Sequence, residues 1–243
     1  LLTFVVGRKF LSERPHKPEG RIVEKIRQIL ANRKIYPLLA AGTINFCIYF
    51  SMQAIIGQKF IGDFFGSGCP SPARFTFVMM FFTMFTMLAS GNLNRLIGNR
   101  RKPFLVFASI NTATAVSLMI IGVYLKLPPA TFLVAFCMLA ISGGMTPITV
   151  SFVKELNAKD VAAMSVGIQN TMSYTGVAIC AYLIGIALDI FGGAAITGKS
   201  GAAIYPPEAY LAIFAGMLVL ATGSIVSAIL TTETNGKRAS AEA

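Results

Sequence analysis

The apolar residues of this chain fall into six long stretches, none of which contains an Asp, Glu, Lys or Arg residue. A helix needs roughly 20 mostly apolar residues to cross a hydrocarbon core about 30 Å thick. Each stretch is at least that long, so the pattern predicts six membrane-crossing helices. The stretches are residues 35–58, 75–94, 103–125, 127–153, 161–188 and 209–232.

Composition supports a membrane protein over a water-soluble one. The chain is 55% hydrophobic and only 13% charged, whereas about a quarter of the residues in a soluble domain are charged. A net charge of +11 suits nucleic acid as well, but a nucleic-acid surface interleaves basic residues with aromatic ones on one face. Here the basic residues cluster between the apolar stretches. The predicted partner is therefore a lipid bilayer, and no nucleic-acid partner is expected.

The basic residues also predict an orientation. Alternate connections between the stretches, with both ends of the chain, hold 17 of the 21 Lys and Arg residues. Lys and Arg are enriched in the cytoplasmic loops of membrane proteins, which places both ends in the cytoplasm. We expect an integral protein of a plasma membrane, in a bacterium the inner membrane.

The segments outside the six stretches differ in character. Residues 1–7 are apolar and look like the end of a preceding transmembrane helix. Residues 8–34 form a basic cytoplasmic linker with an amphipathic helix, which suits either the membrane surface or packing on protein. Residues 35–232 make the six-helix bundle, and residues 233–243 a cytoplasmic tail.

Hydrogen-bonding residues are concentrated in the first, fourth and fifth stretches. Unpaired polar groups are costly in hydrocarbon, so these side chains should face neighbouring helices or a water-filled cavity. The fourth stretch also contains Gly143, Gly144 and Pro147, which weaken the helical backbone. The sixth has few polar groups and is expected to pack outward against lipid.

Residues 91–102, GNLNRLIGNRRK, resemble the cytoplasmic loop signature of the major facilitator superfamily, in which two glycines flank a leucine and an acidic residue and precede a basic pair. The matching residues are Gly91, Leu93, Gly98, Arg100 and Arg101. Arg95 stands where the family usually has Asp. The two glycines are expected to let a short loop turn tightly.

Residues 153–189 and Glu13 to Pro15 resemble further passages of the same family, so the similarity covers essentially the whole chain. It implies an all-α membrane protein whose six transmembrane helices form the C-terminal bundle of the family fold. It also implies a partner bundle, the N-terminal six-helix half of the same transporter. The expected function is transmembrane transport of a small organic solute by alternating access, as half of a secondary active transporter.

The resemblance implies a central pathway lined by the first, second, fourth and fifth helices. Polar residues at spacings of four in those helices are the substrate-cavity candidates, because that spacing keeps side chains on one face. They serve equally well as hydrogen-bonding contacts between helices. The candidates are Asn45, Tyr49, Gln53, Thr146, Asn170 and Tyr174.

The loop signature suggests a cytoplasmic gate. We hypothesise that Arg100 or Arg101 contacts Glu155, at the end of the fourth stretch, in one conformation and separates from it in another. The alternative is that these are solvated charges that only set topology.

Enzyme chemistry has little support. The single histidine lies in the linker, and the chain lacks the Gly-x-Ser-x-Gly and His-Glu-x-x-His motifs. We therefore predict no enzymatic activity, no metal and no cofactor. The four cysteines show no metal-ligand spacing, and no disulfide is expected. The alternative to a transporter half is a self-contained six-helix channel or membrane scaffold protein.

Overall fold

The computed structural model describes residues 22–68, 71–194, 196–197 and 203–238. Residues 1–7, most of the linker, Cys69 and the last residues of the tail lie outside these ranges. The helices are α1 Ile22–Ala31, α2 Tyr36–Phe50, α3 Gly57–Phe65, α4 Pro72–Leu96, α5 Lys102–Tyr124, α6 Pro129–Gly144, α7 Thr146–Glu155, α8 Ala162–Ile190 and α9 Pro207–Leu230. Two short antiparallel strands, β1 Ile196–Thr197 and β2 Ala203–Ile204, are an addition to the predicted all-α architecture.

Six helical spans are long and apolar enough to cross a membrane, and each overlaps one predicted stretch. The prediction of six such helices is therefore confirmed. The spans are span 1 Arg33–Ile55, span 2 Pro72–Leu96, span 3 Lys102–Tyr124, span 4 Pro129–Glu155, span 5 Ala162–Ile190 and span 6 Pro207–Leu230.

Proline starts many of these helices. It occupies one of the first two positions of α2, α4, α5, α6, α7 and α9. The first helical N–H groups have no partner within the helix, so proline loses nothing there, and its fixed φ favours the helical turn.

Spans 1 and 4 are interrupted. In span 1, Ser51–Ile55 forms a π-helical turn, and the Ile56 N–H donates to the Ser51 carbonyl at 2.9 Å. In span 4, α6 ends at Gly144 and α7 begins at Thr146. The Gly-Gly-x-x-Pro sequence explains the second break, because glycine loosens the helix and proline removes a donor.

Two of the four hydrophobic clusters among the described residues contain most of the buried apolar side chains. The larger contains Phe60, whose ring packs edge-to-face against the rings of Phe132 and Phe214. The smaller joins the fully buried Ile29 of α1 to span 1 and to the end of span 4. Other apolar side chains of α1 stay exposed, Val23 at 74%, so α1 both packs on the bundle and keeps an apolar face open.

Span 6 was expected to pack outward against lipid, and most of its apolar window is unburied, although spans 2 and 5 are buried less. The most apolar window of span 6 is 33% buried, compared with 28% for span 2 and 22% for span 5. Its few polar residues explain the difference, because buried Ser224 hydrogen-bonds to Asn45 of span 1 and Ser109 of span 3.

All of the described basic connections meet at one end of the bundle. Asn32 donates to the Leu156 carbonyl at 2.8 Å, Arg101 pairs with Glu155, and Glu233 accepts from the Arg101 N–H. We call this the basic end. Lys59 lies at the opposite end, where it contacts the carbonyl of Ala203.

The cysteine prediction needs one correction. The Sγ atoms of Cys47 in span 1 and Cys180 in span 5 lie in bonding contact as a disulfide, although no disulfide was expected. The two residues are 133 positions apart in sequence, and they meet because spans 1 and 5 approach closely at Gly176.

Candidate solute cavity and end clusters

A cavity of about 190 Å³ lies between spans 1, 3, 4 and 5. It has room for several water molecules or one small solute. The lining residues are Gly42, Asn45, Phe46, Leu105, Ala108, Ser142, Gly143, Met145, Thr146, Thr149, Val150, Gln169, Asn170, Ser173 and Tyr174. Span 2, which the family resemblance included, contributes none of them, and span 3 contributes two.

Four of the six cavity candidates line this space, namely Asn45, Thr146, Asn170 and Tyr174. Gln53 does not, because the π-helical turn interrupts the α-helical spacing of four that was to align it with Asn45. It lies instead in a groove near Lys59 at the opposite end. Tyr49 is buried behind the wall, where its ring packs on Gly143.

Asn45 is engaged within the protein. Its Nδ2 donates to Ser109 Oγ at 2.9 Å, and its Oδ1 accepts from Ser224 Oγ at 3.1 Å. Both hydroxyls are fully buried. The amide therefore joins spans 1, 3 and 6, which is the helix-contact role left open for these residues.

Tyr174 and Asn170 lie on the exposed side of the cavity. The Tyr174 ring packs edge-on against Phe46 and Phe50, with centroid distances of 5.3 and 6.1 Å. Its side chain is nevertheless 57% exposed, and Asn170 one turn earlier is also exposed. Of the candidates, these two are the side chains freest to meet a solute.

Gln169 was outside the candidate set but is the most informative lining residue. It is 4% exposed, and its Nε2 donates to Ser173 Oγ at 3.1 Å and Thr43 Oγ1 at 3.4 Å. Its Oε1 has no partner among the described residues. The spacing of four selected the helix face with Asn170 and Tyr174 as the one lining the cavity. Nothing in the sequence indicates that the adjacent face, which carries Gln169, also lines it.

The hypothesised contact with Glu155 is present in the structure through Arg101. Nη2 of Arg101 lies 2.8 Å from Oε1, and Nε lies 3.2 and 3.3 Å from the two carboxylate oxygens. Thr234, beyond span 6, donates to Glu155 Oε2 at 2.6 Å. With Glu233 these residues form what we call the basic-end cluster.

Glu233 is the second acid of the basic-end cluster, and it was not among the residues predicted from the sequence. Its carboxylate accepts from the backbone N–H groups of Arg101, Lys102, Thr234 and Asn235 at 2.9–3.1 Å. The Arg101 and Lys102 groups open α5, so Glu233 caps span 3 from the far end of the chain. Burial favours the neutral acid, but the four donors outweigh it and lower the pKa of Glu233.

The other residues of the loop signature have separate roles. Gly98 has φ +72° and begins the turn into span 3, as expected. Gly91 lies inside α4 with open space around it, so the expectation that it forms the turn is wrong. Leu93 is 43% exposed, and Arg100 is exposed beside a shallow groove near Phe107.

A second ionic cluster lies at the opposite end and was not foreseen. Asp63 of α3 accepts from Lys59 Nζ at 2.5 and 2.7 Å, from Tyr210 Oη at 2.6 Å and from the Tyr205 N–H at 3.0 Å. Its side chain is 6% exposed. It ties the end of span 1 to the start of span 6, and we call it the opposite-end cluster.

Comparison of the chain with protein-family models, curated proteins and solved structures gives no match. Within the described residues, no group of three His, Cys, Asp or Glu side chains is placed to hold a metal ion. The arrangement itself defines a six-helix bundle with an ionic cluster at either end and an uncharged cavity lined by both polar and apolar residues.

Proposed function

We propose that this chain is one six-helix half of a secondary transporter of the major facilitator type. It carries a small organic solute across a plasma membrane by alternating access. The observation that carries the proposal is the uncharged cavity between spans 1, 3, 4 and 5, which opens beside the exposed Tyr174 and Asn170. A hydrogen-bonding cavity within membrane helices is typical of a solute site near the bilayer midplane.

The basic-end cluster supplies a closing contact. Arg101 precedes span 3, Glu155 ends span 4 and Thr234 follows span 6, so the cluster joins three spans. A charge-assisted, bidentate contact holds its partners in one geometry. Breaking it would free the basic end of these spans to separate, which is one half of an alternating-access cycle.

The exposed apolar faces support a second bundle as partner. Spans 2 and 5 are the least buried, and span 2 exposes a run of large side chains at helical spacing. These are Phe77, Phe81, Phe85 and Leu88. Lipid accounts for part of this surface, and the N-terminal six-helix half would cover the side on which the cavity opens.

The test uses the full-length protein in inside-out and right-side-out vesicles, with its native cysteines replaced. A single reporter cysteine, Asn170→Cys, is labelled with a membrane-impermeant maleimide. Alternating access predicts labelling from both sides. Adding Glu155→Gln should raise the labelling rate from the basic end and lower it from the opposite end.

Arg100→Gln is the matched control, because Arg100 is exposed and Arg101 is the residue that pairs with Glu155. It should leave both labelling rates unchanged. Labelling from one side only, whatever residue occupies position 155, would refute alternating access. A six-helix channel would be favoured instead if the maleimide reached position 170 from both sides at the same time and the labelling rate did not saturate.

A further inference from the structure

We propose that the cavity recognises an uncharged, hydroxyl-bearing solute, and that Gln169 selects it by accepting a hydrogen bond through Oε1. This inference rests on the proposed transport function and names its substrate class. It starts from the buried amide oxygen that has no partner among the described residues.

The Gln169 amide is fixed in place. Its Nε2 is held by Ser173 and Thr43, on span 5 and span 1. Gly42 leaves room for this amide, because a Cβ at position 42 would lie 3.1 Å from Gln169 Nε2. With the nitrogen anchored, the amide plane is fixed and Oε1 cannot turn away without breaking both bonds. An acceptor held in this way is preorganised for a donor.

An unsatisfied buried acceptor is costly, and buried side-chain oxygens usually have a partner. Gln169 lines the cavity, but Oε1 itself is buried, so a solute or water supplies the missing donor when the wall beside it moves to admit that donor. A solute hydroxyl or N–H that replaces water here gains a hydrogen bond in a site of low dielectric. An analogue that lacks the donor leaves Oε1 unpaired, which is a strong basis for discrimination.

The hydroxyl groups of the wall also present acceptors. Thr146 Oγ1 donates to the Gly143 carbonyl at 2.6 Å, and Ser142 Oγ donates to the Ala108 carbonyl at 3.0 Å. Their protons point into the protein. Ser142 Oγ also accepts from Asn111 Nδ2 at 2.9 Å, so most of the remaining acceptor capacity is on Thr146 Oγ1. This part of the wall therefore matches a solute that brings several donors, as a polyol does.

Charge complementarity is missing from the wall. In the part of the chain that the structure describes, no lining residue is Asp, Glu, Lys, Arg or His. Glu155 is already paired with Arg101. A carboxylate or ammonium group buried here would lose hydration without a counter-ion, which strongly opposes binding. The solute group that meets this half is therefore neutral.

The test is uptake by the full-length protein in proteoliposomes, with C4, C5 and C6 polyols as probes. Each polyol is compared with its aldonate and its amino-polyol of the same length. We expect the neutral member to be preferred in each series that is transported. Gln169→Leu should raise its KM by about 3- to 10-fold, the usual effect of one lost hydrogen bond. Gln169→Glu should move the preference toward the amino-polyol.

Thr112→Val is the matched control. Thr112 is fully buried in span 3, its hydroxyl also lacks a partner within the described residues, and it is not in the cavity wall. Its replacement should leave KM unchanged. Preference for the aldonate, or an unchanged KM in Gln169→Leu, would overturn this inference and leave transport intact. If no probe is transported, the inference fails, and the two-sided labelling of position 170 decides separately whether alternating access stands.

Discussion

Glu233 shows how much one side chain contributes to the structure of the basic end. Its carboxylate accepts four backbone N–H groups, two of them at the start of span 3. An acid in this position acts as a helix cap supplied from a distant part of the chain. It also lies next to Thr234, which bonds Glu155, so it orders the tail that completes the basic-end cluster.

The lowered pKa of Glu233 predicts a pH dependence of stability. Because the pKa is lower in the folded state, the carboxylate stabilises the fold above its ordinary value of 4.5. That contribution is lost as the pH falls through the folded-state pKa. The midpoint of thermal unfolding of the purified protein should fall as the pH is lowered from 7 to 3. Glu233→Gln should remove part of this fall.

At pH 7 we expect Glu233→Gln to lower the free energy of unfolding by about 1 kcal/mol, as for loss of a helix cap. Glu208→Gln is the control, because Glu208 is exposed at the start of span 6. It should lower the free energy of unfolding at pH 7 by less than Glu233→Gln does, because Glu208 does not cap span 3. Equal effects of the two substitutions would show that Glu233 does not cap span 3.

At the residue scale, the sequence predicted which helices carry polar side chains but not which groups those side chains contact. Asn45 and Thr146 follow from position and spacing, and the Arg101 contact follows from the loop motif. Gln169 and Glu233 could not be found this way. Their roles depend on which groups face each other at sequence separations of 126 and 132.

Among the elements, the π-helical turn of span 1 has the largest local effect. It changes the direction of the side chains after Phe50 and so moves Gln53 away from the cavity. Gly57 makes the turn possible, because a Cβ at that position would lie 2.0 Å from the Met52 carbonyl oxygen. Hydropathy cannot reveal such a turn, since it records how apolar a stretch is and not how its backbone bonds are spaced.

Gly57→Ala should therefore destabilise the bundle. The clash involves the backbone, which cannot move aside as a flexible side chain can, and overpacking typically costs about 1–3 kcal/mol. We expect a lower midpoint of thermal unfolding and a changed accessibility of Gln53. The measurement is thermal unfolding of the protein in nanodiscs, with maleimide labelling of Gln53→Cys in the same background.

Gly223→Ala in span 6 is the matched control, because nothing lies within 4 Å of a Cβ at that position. Alanine is a better helix former than glycine by up to about 1 kcal/mol, so this variant should be as stable as the parent or more stable. An equal loss in both variants would mean that the π-helical turn has no special need for glycine.

The whole molecule is a bundle with an ionic cluster at each end and an uncharged cavity between. The basic-end cluster joins spans 3 and 4 to the tail, and the opposite-end cluster joins spans 1 and 6. Both clusters involve span 6, but they lie at its opposite ends and otherwise join different segments, so contacts at one end can break while those at the other remain. The six spans and their basic connections were predictable from composition, because lipid excludes charge from the spans. The opposite-end cluster was not, because it depends on the packing of α3 against Tyr205 and Tyr210.

The orientation of the bundle gives a prediction for the molecule in its membrane. Among the described residues, the basic end holds most of the Lys and Arg side chains, so it should face the cytoplasm. Ala130 and Ala163 make a matched pair of reporters, since each is exposed, and each is the second residue of its helix, α6 and α8. Ala130 follows the connection at the opposite end, and Ala163 follows the connection at the basic end. On intact cells, an impermeant maleimide should label Ala130→Cys at once and Ala163→Cys only after permeabilisation. The reverse pattern would place the basic-end cluster outside the cell, and its role would then be closure toward the outer medium.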